Sequence, residues 1–150
     1  MLAMRLLVLA GAFSLVVNVS SAEDAVIGYV KTVDGDAVVL VAGKATQAEP
    51  GTPLQRGNVL KTGKPGSMGV TLKDNTVMSL GPDTELVVDE YLYSPSDGDL
   101  KLGASMRRGS LNYISGVIAK LKPEGVSLKT PAGNIGIRGT HFLVTVEAKD

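Results

Sequence analysis

The sequence predicts an all-β domain, a sandwich or roll of short, mostly antiparallel strands, with one short helix near residues 114–121 and an N-terminal signal helix. Three observations carry this prediction. Apolar residues alternate at period two in most segments beyond residue 25, the pattern of half-buried strands. The segments are short and recur about every 8 to 12 residues. Turn formers stand between them, and the chain holds 18 glycines and 7 prolines, so reversals are frequent.

At the N-terminus, Arg5 precedes the apolar run LLVLAGAFSLVV, and the small residues of NVSSA follow. This reads as a signal peptide over residues 1–22, cleaved after Ala22. The run is shorter than the ~20 residues that span a bilayer, and no second apolar run of that length follows. The expected product is an exported protein, periplasmic or secreted, with no stable membrane anchor after cleavage. The absence of cysteine excludes lipid attachment at a new N-terminal Cys, disulfides, thiolate catalysis and Cys-ligated metal.

In the mature chain, VIGYVKTV and AVVLVAG flank Asp34-Gly35-Asp36, and the Asp-Gly pair predicts a tight antiparallel hairpin. EPGTP interrupts the pattern, NVLKTG gives a short strand, and the Pro-Gly of KPGS predicts a tight turn. Alternation at Met68, Val70 and Leu72, then Val77 with Leu80 out of step, then Leu86 and Val88, predicts three strands parted by KDN and GPD. Ser94 to Gly103 reads as a loop centred on a second Asp-Gly hairpin signal. Ile114, Val117, Ile118 and Leu121 fall on one face of a short helix. Lys120 and Lys122 suit its C-terminal dipole, and Pro123 stops it.

The last segment, GVSLKTPAGNIGIRGTHFLVTVE, returns to strands. Its alternation changes phase, from odd at Ile135 and Ile137 to even at Phe142, Val144 and Val146. Successive strand side chains point to opposite faces, so the phase changes only at a bulge or corner. That corner is predicted at Arg138, Gly139 and Thr140, with Ile135 and Ile137 packed into the same core as Phe142 and Val144.

Composition narrows the function. Formal net charge is zero, with mixed signs along the chain, so no electrostatic footprint for nucleic acid is present. Aromatics are few and Trp is absent, which disfavours stacking platforms for bases or sugars. A single His, no Cys and no phosphate-cradling Gly loop argue against an enzyme and against any cofactor.

Taken in order, GYVKTVDGDAVVL, GTPLQRGNVLKTGKPGSMGVTLKDNTVMSLGPDTELVVDEY, MRRGSLN and LKTPAGNIGIRGTHFLVTV resemble the FecR-type domain across residues 26–146. The most specific pieces are Thr62-Gly63, the LKDNTVMSLGPDTEL hairpin and the terminal TPAGNIGIRGT segment. The resemblance implies a non-enzymatic extracytoplasmic β domain. In the founding regulators such a domain receives a signal from an outer-membrane transporter and passes it to a cytoplasmic segment that controls a sigma factor. Here the domain follows the signal peptide directly, so the expectation is a stand-alone binding or signalling module, interacting with another cell-envelope protein. The alternative expectation is a carbohydrate- or peptidoglycan-binding module, with a cell-wall polymer as partner.

Candidate residues are few. Arg138 suits a bidentate carboxylate or sugar contact, but is read as pairing locally and fixing the bend at Gly139; Arg138, Gly139, Thr140 and Phe142 are therefore a structural motif. His141 has no second His to complete a metal site, and no triad follows from it. Asp34 with Asp36, and Asp97 with Asp99, flank glycines but lack the continuation of a calcium loop. Asp83, Glu85, Asp89 and Glu90 form an acidic segment beside Tyr91 and Tyr93, read as a solvated strand face rather than a glycosidase pair. Lys101, Arg107 and Arg108 form a modest basic patch for an anionic partner. No catalytic or metal-binding residue is assigned.

Overall fold

The computed structural model describes residues 25–147; the predicted signal peptide lies outside them. Among the described residues no helix is long and apolar enough to cross a membrane. The chain forms β1 (Val26–Val41), β2 (Lys44–Gln47), β3 (Pro53–Gln55), β4 (Val59–Leu72), β5 (Val77–Leu80) and β6 (Glu85–Ser94). It continues through β7 (Asp99–Ile114), α1 (Val117–Leu121), β8 (Val126–Thr130), β9 (Gly133–Gly136) and β10 (His141–Val146). The fold is all-β, as predicted. Pairings are antiparallel except that of β7 with β8, which α1 connects.

The strands make one hydrogen-bonded network in the order β2-β1-β4-β5-β7-β8-β9, with β3 on β1, β10 on β7, and β6 joining β4 to β7. Three long strands change partners partway along. β1 pairs β3 through Val26–Tyr29 and β2 through Val38–Val41. β4 pairs β6 through Val59–Lys61 and β5 through Met68–Thr71. β7 pairs β6 through Asp99–Arg108 and β5 through Leu111–Ile114. On its other side β7 holds β8 against Leu102–Ser105 and β10 against Gly109–Ile114. Each long strand therefore serves two half-sheets. Buried side chains of both halves, such as Leu60, Leu86 and Met106 with Val70, Met78 and Leu111, belong to one core. Strands that switch sheets through a bend are the usual way to build such corners.

The bends explain where the predicted turns went. Asp34-Gly35-Asp36 does not reverse the chain: β1 runs through it as one strand, with φ of +64° at Gly35 and a register shift between Gly35 and Ala37. Opposite it, Lys64-Pro65-Gly66 lies inside β4 and also fails to reverse the chain. The two turn-forming stretches face each other, so each becomes an irregularity in a continuing ladder. The buried positions of β1 change from Gly28 and Val30 to Ala37 and Val39 across it.

Other boundaries also move. The second Asp-Gly does make a hairpin, but a short one: Ser94 pairs Asp99, and Asp99 to Gly103 is already β7. In β5 the core positions are Met78 and Leu80, which removes the apparent phase error at Val77. The helix starts at Val117, because Ile114 ends β7 with 42% exposure and Leu121 is 63% exposed. The helical spacing straddled two elements, and only Ile118 and Ala119 of α1 are buried.

Candidate functional site: an open groove between two edge strands

The terminal corner is present where the phase change placed it. β9 pairs β8, β10 pairs β7, and Arg138, Gly139 and Thr140 carry the chain from one to the other. Gly139 has φ of +116°, a conformation side chains disfavour. The Ser115 hydroxyl donates to the Gly139 carbonyl at 2.7 Å, and the Ser115 N–H donates to the Thr140 carbonyl at 2.8 Å. Arg138 does not fix the bend. It is exposed and has no ion pair among the described residues, so the expected local pairing is replaced by Ser115.

Half of the packing expectation holds. Ile137 is buried at 5% exposure, and Phe142, Val144 and Val146 pack against the core. Ile135 does not join them: it is 39% exposed, because every residue of edge strand β9 faces solvent. The outcome is a groove between β9 and β10. One part, of about 440 Å³, is lined by Ile135, Ile137, Arg138, Phe142 and Val144 among others. A second part, of about 380 Å³, continues past Pro131, Ala132 and Val146 to Glu147.

The floor of the groove is firmly backed. Phe142 stacks on Tyr113 with ring centroids 4.7 Å apart and planes at 22°. Tyr113 is 1% exposed, and burial pushes its phenol up to about 12. Its hydroxyl has no hydrogen-bond partner among the described residues. Nearby, the fully buried Asp74 gathers a polar knot. Its carboxylate accepts from the Thr76 hydroxyl at 2.8 Å, the Tyr91 hydroxyl at 3.0 Å, and the N–H groups of Ile118 at 3.2 Å and Thr76 at 3.3 Å. Four donors satisfy a buried carboxylate without a cation. Burial, and then the Asp74 carboxylate, push the Tyr91 phenol far above its ordinary range.

Sequence reasoning missed Asp74 because KDN reads as a plain turn. The available signal was Asp followed two residues later by Thr, the spacing of an Asx-type turn.

The remaining candidates resolve into structure. Lys101 meets Glu90 at 3.1 Å, Arg107 meets Glu85 at 3.6 Å, and Arg108 meets Asp83 at 3.2 Å and Glu85 at 3.7 Å. Asp89 accepts from the Ser105 hydroxyl. The basic patch and the acidic segment are thus one ion-paired band across β6 and β7. Arg108 Nε approaches Asp83 as an ion contact without hydrogen-bond alignment. His141, exposed on the outer face, bonds the Asn112 side chain.

Chemically, the groove offers three things: a backbone edge of β10 that pairs no strand among the described residues, an apolar floor, and one guanidinium at its end. No curated protein and no solved structure matches the chain. The family described as FecR protein matches residues 58–150, more than half of the chain. That span begins just before β4 and runs through the Asp74 knot, the β6–β7 hairpin and the groove, so the chain belongs to the FecR family, whose domain is a signalling or regulatory module.

Proposed function

We propose that this protein is an exported, non-enzymatic signalling module that docks an extended segment of another cell-envelope protein into the β9–β10 groove. The observation that supports the reading is the groove itself. An edge with no described partner strand lies beside Phe142, Val144 and Ile137, and strand addition of this kind takes affinity from the backbone and specificity from alternate side-chain pockets. Arg138 at one end suits a carboxylate on the incoming segment. The carbohydrate or peptidoglycan alternative rested on the patch of Lys101, Arg107 and Arg108 and on exposed tyrosines; the pairing of the patch with Glu85, Glu90 and Asp83 weakens its first support, while Tyr29 and Tyr93 are exposed.

The test is chemical crosslinking and affinity capture from envelope extract, comparing the wild type with Phe142→Asp. Capture of a distinct envelope protein by the wild type and not by the variant, with both folded by circular dichroism, supports the reading. Equal capture by both variants, or none by either, defeats it.

A further inference from the structure

We infer that the segment docked in the β9–β10 groove carries its charges in a set order: a basic residue, an apolar residue and an acidic residue at i, i+2 and i+4, running antiparallel to β10. This rests on the docking reading and deepens it. The two parts of the groove share Ile135, Val144 and Thr145, so they form one continuous channel. Of the residues lining it, Arg138 and Glu147 alone are charged, and they stand at opposite ends, Arg138 beside Phe142 and Glu147 beside Val146. Both are exposed, and neither has an ion pair among the described residues. That sets them apart from the charged band of β6 and β7, where cations and acids neutralise one another. The strand from Phe142 to Val146 spans about 14 Å at ~3.4 Å per residue, beyond the ~8 Å screening length of physiological salt. The two ends therefore present opposite charges independently.

An added strand shows alternate residues to the groove. Phe142, Val144 and Val146 pack inward on β10, so the three residues that oppose them share one face of the incoming segment. Opposite Val144 the groove is walled by Ile135, which suits an apolar side chain. Opposite Val146 the carboxylate of Glu147 calls for Lys or Arg. Opposite Phe142 the guanidinium of Arg138 calls for Asp or Glu, which it can take bidentately. β10 already pairs antiparallel with β7, and antiparallel pairing is the more stable kind per residue. An antiparallel segment runs from the Val146 end to the Phe142 end, so its base precedes its acid. The reversed order sets like charge beside like charge at both ends, and the groove rejects it by repulsion as well as by lost attraction.

Two dye-labelled peptides of one composition provide the test, Thr-Lys-Thr-Val-Thr-Glu-Thr-amide and its reversal, Thr-Glu-Thr-Val-Thr-Lys-Thr-amide. In fluorescence anisotropy the protein should bind the first about tenfold more tightly at low salt, and the gap should narrow in high salt. A charge-exchanged chain, Arg138→Glu together with Glu147→Arg, alters two exposed sites; it should melt like the wild type and prefer the reversed peptide. Equal affinity for the two peptides, a wild-type preference for the reversed one, a preference that the charge-exchanged chain keeps, or binding of neither peptide overturns the inference. If any of these is found while the wild type, and not Phe142→Asp, captures an envelope protein, the charge order fails and the docking reading stands. If neither peptide binds and nothing is captured, both fail.

Discussion

Two corners inside the sheet run through an arginine followed by glycine, Arg108-Gly109 and Arg138-Gly139, and they are built in opposite ways. At Arg108-Gly109, in the middle of β7, the buried positions pass from Leu102, Ala104 and Met106 to Leu111 and Tyr113. Gly109 has φ of +98°, and a Cβ there would lie 2.2 Å from Thr84 Oγ1 and 2.4 Å from Thr84 Cα. Thr84 is itself pinned: its hydroxyl donates to the Gly81 carbonyl at 2.8 Å and accepts from the Ser110 N–H at 3.0 Å. At Arg138-Gly139 the φ is +116°, but nothing lies within 4 Å of the position a Cβ would take. Arg108 faces two carboxylates, while Arg138 faces solvent. The first corner is packed against Thr84; the second is held by the hydroxyl and N–H of Ser115 and leaves its arginine exposed. An arginine–glycine pair in sequence thus says little about role until its surroundings are known.

Substitution should separate the two corners. Gly109→Ala combines a disfavoured φ with overpacking against Thr84, and we expect a loss of about 3–5 kcal/mol in denaturant unfolding. If it unfolds like the wild type, the packed-corner account is wrong. Gly139→Val meets only the backbone penalty, so the loss should be smaller, about 1–3 kcal/mol; a loss equal to that of Gly109→Ala would show that the outer corner is also packed. Arg108→Ala removes a partner from Glu85, whose side chain is 11% exposed but keeps Arg107, and should cost about 1 kcal/mol, less in high salt. Arg138→Ala should change stability by less than about 0.5 kcal/mol while weakening capture of the proposed envelope partner. A marked fall in its melting temperature would place Arg138 in the scaffold.

The outer corner was legible because Ile135, Ile137, Phe142 and Val144 show their phase change within a few residues. The same signal existed at the inner corner, in Leu100, Leu102 and Met106 against Leu111 and Tyr113, yet the run of polar residues between Arg107 and Ser110 reads as an ordinary interruption. Asp34-Gly35 and Pro65-Gly66 misled for a related reason. Local turn chemistry is satisfied equally by reversing a chain or by kinking a ladder, and only the partner strand, some thirty residues away, decides between them. Ile114 counted toward a helix because spacing cannot register that a strand has just ended. The ion pairs between Asp83, Glu85 and Arg108 were hidden because the β6–β7 register, set by the hairpin at Gly98, brings them together across the sheet. The groove depends on where two edges fall, which no local pattern in the sequence encodes.

The stacking of Phe142 on Tyr113 has an optical consequence. The chain has no Trp and four Tyr, and Tyr113 is buried directly behind the groove floor. Any occupant that moves Phe142 changes the asymmetric field around the Tyr113 ring, so near-ultraviolet circular dichroism reports filling of the groove without a label. The molecule carries its own reporter one ring away from the place where a partner would arrive.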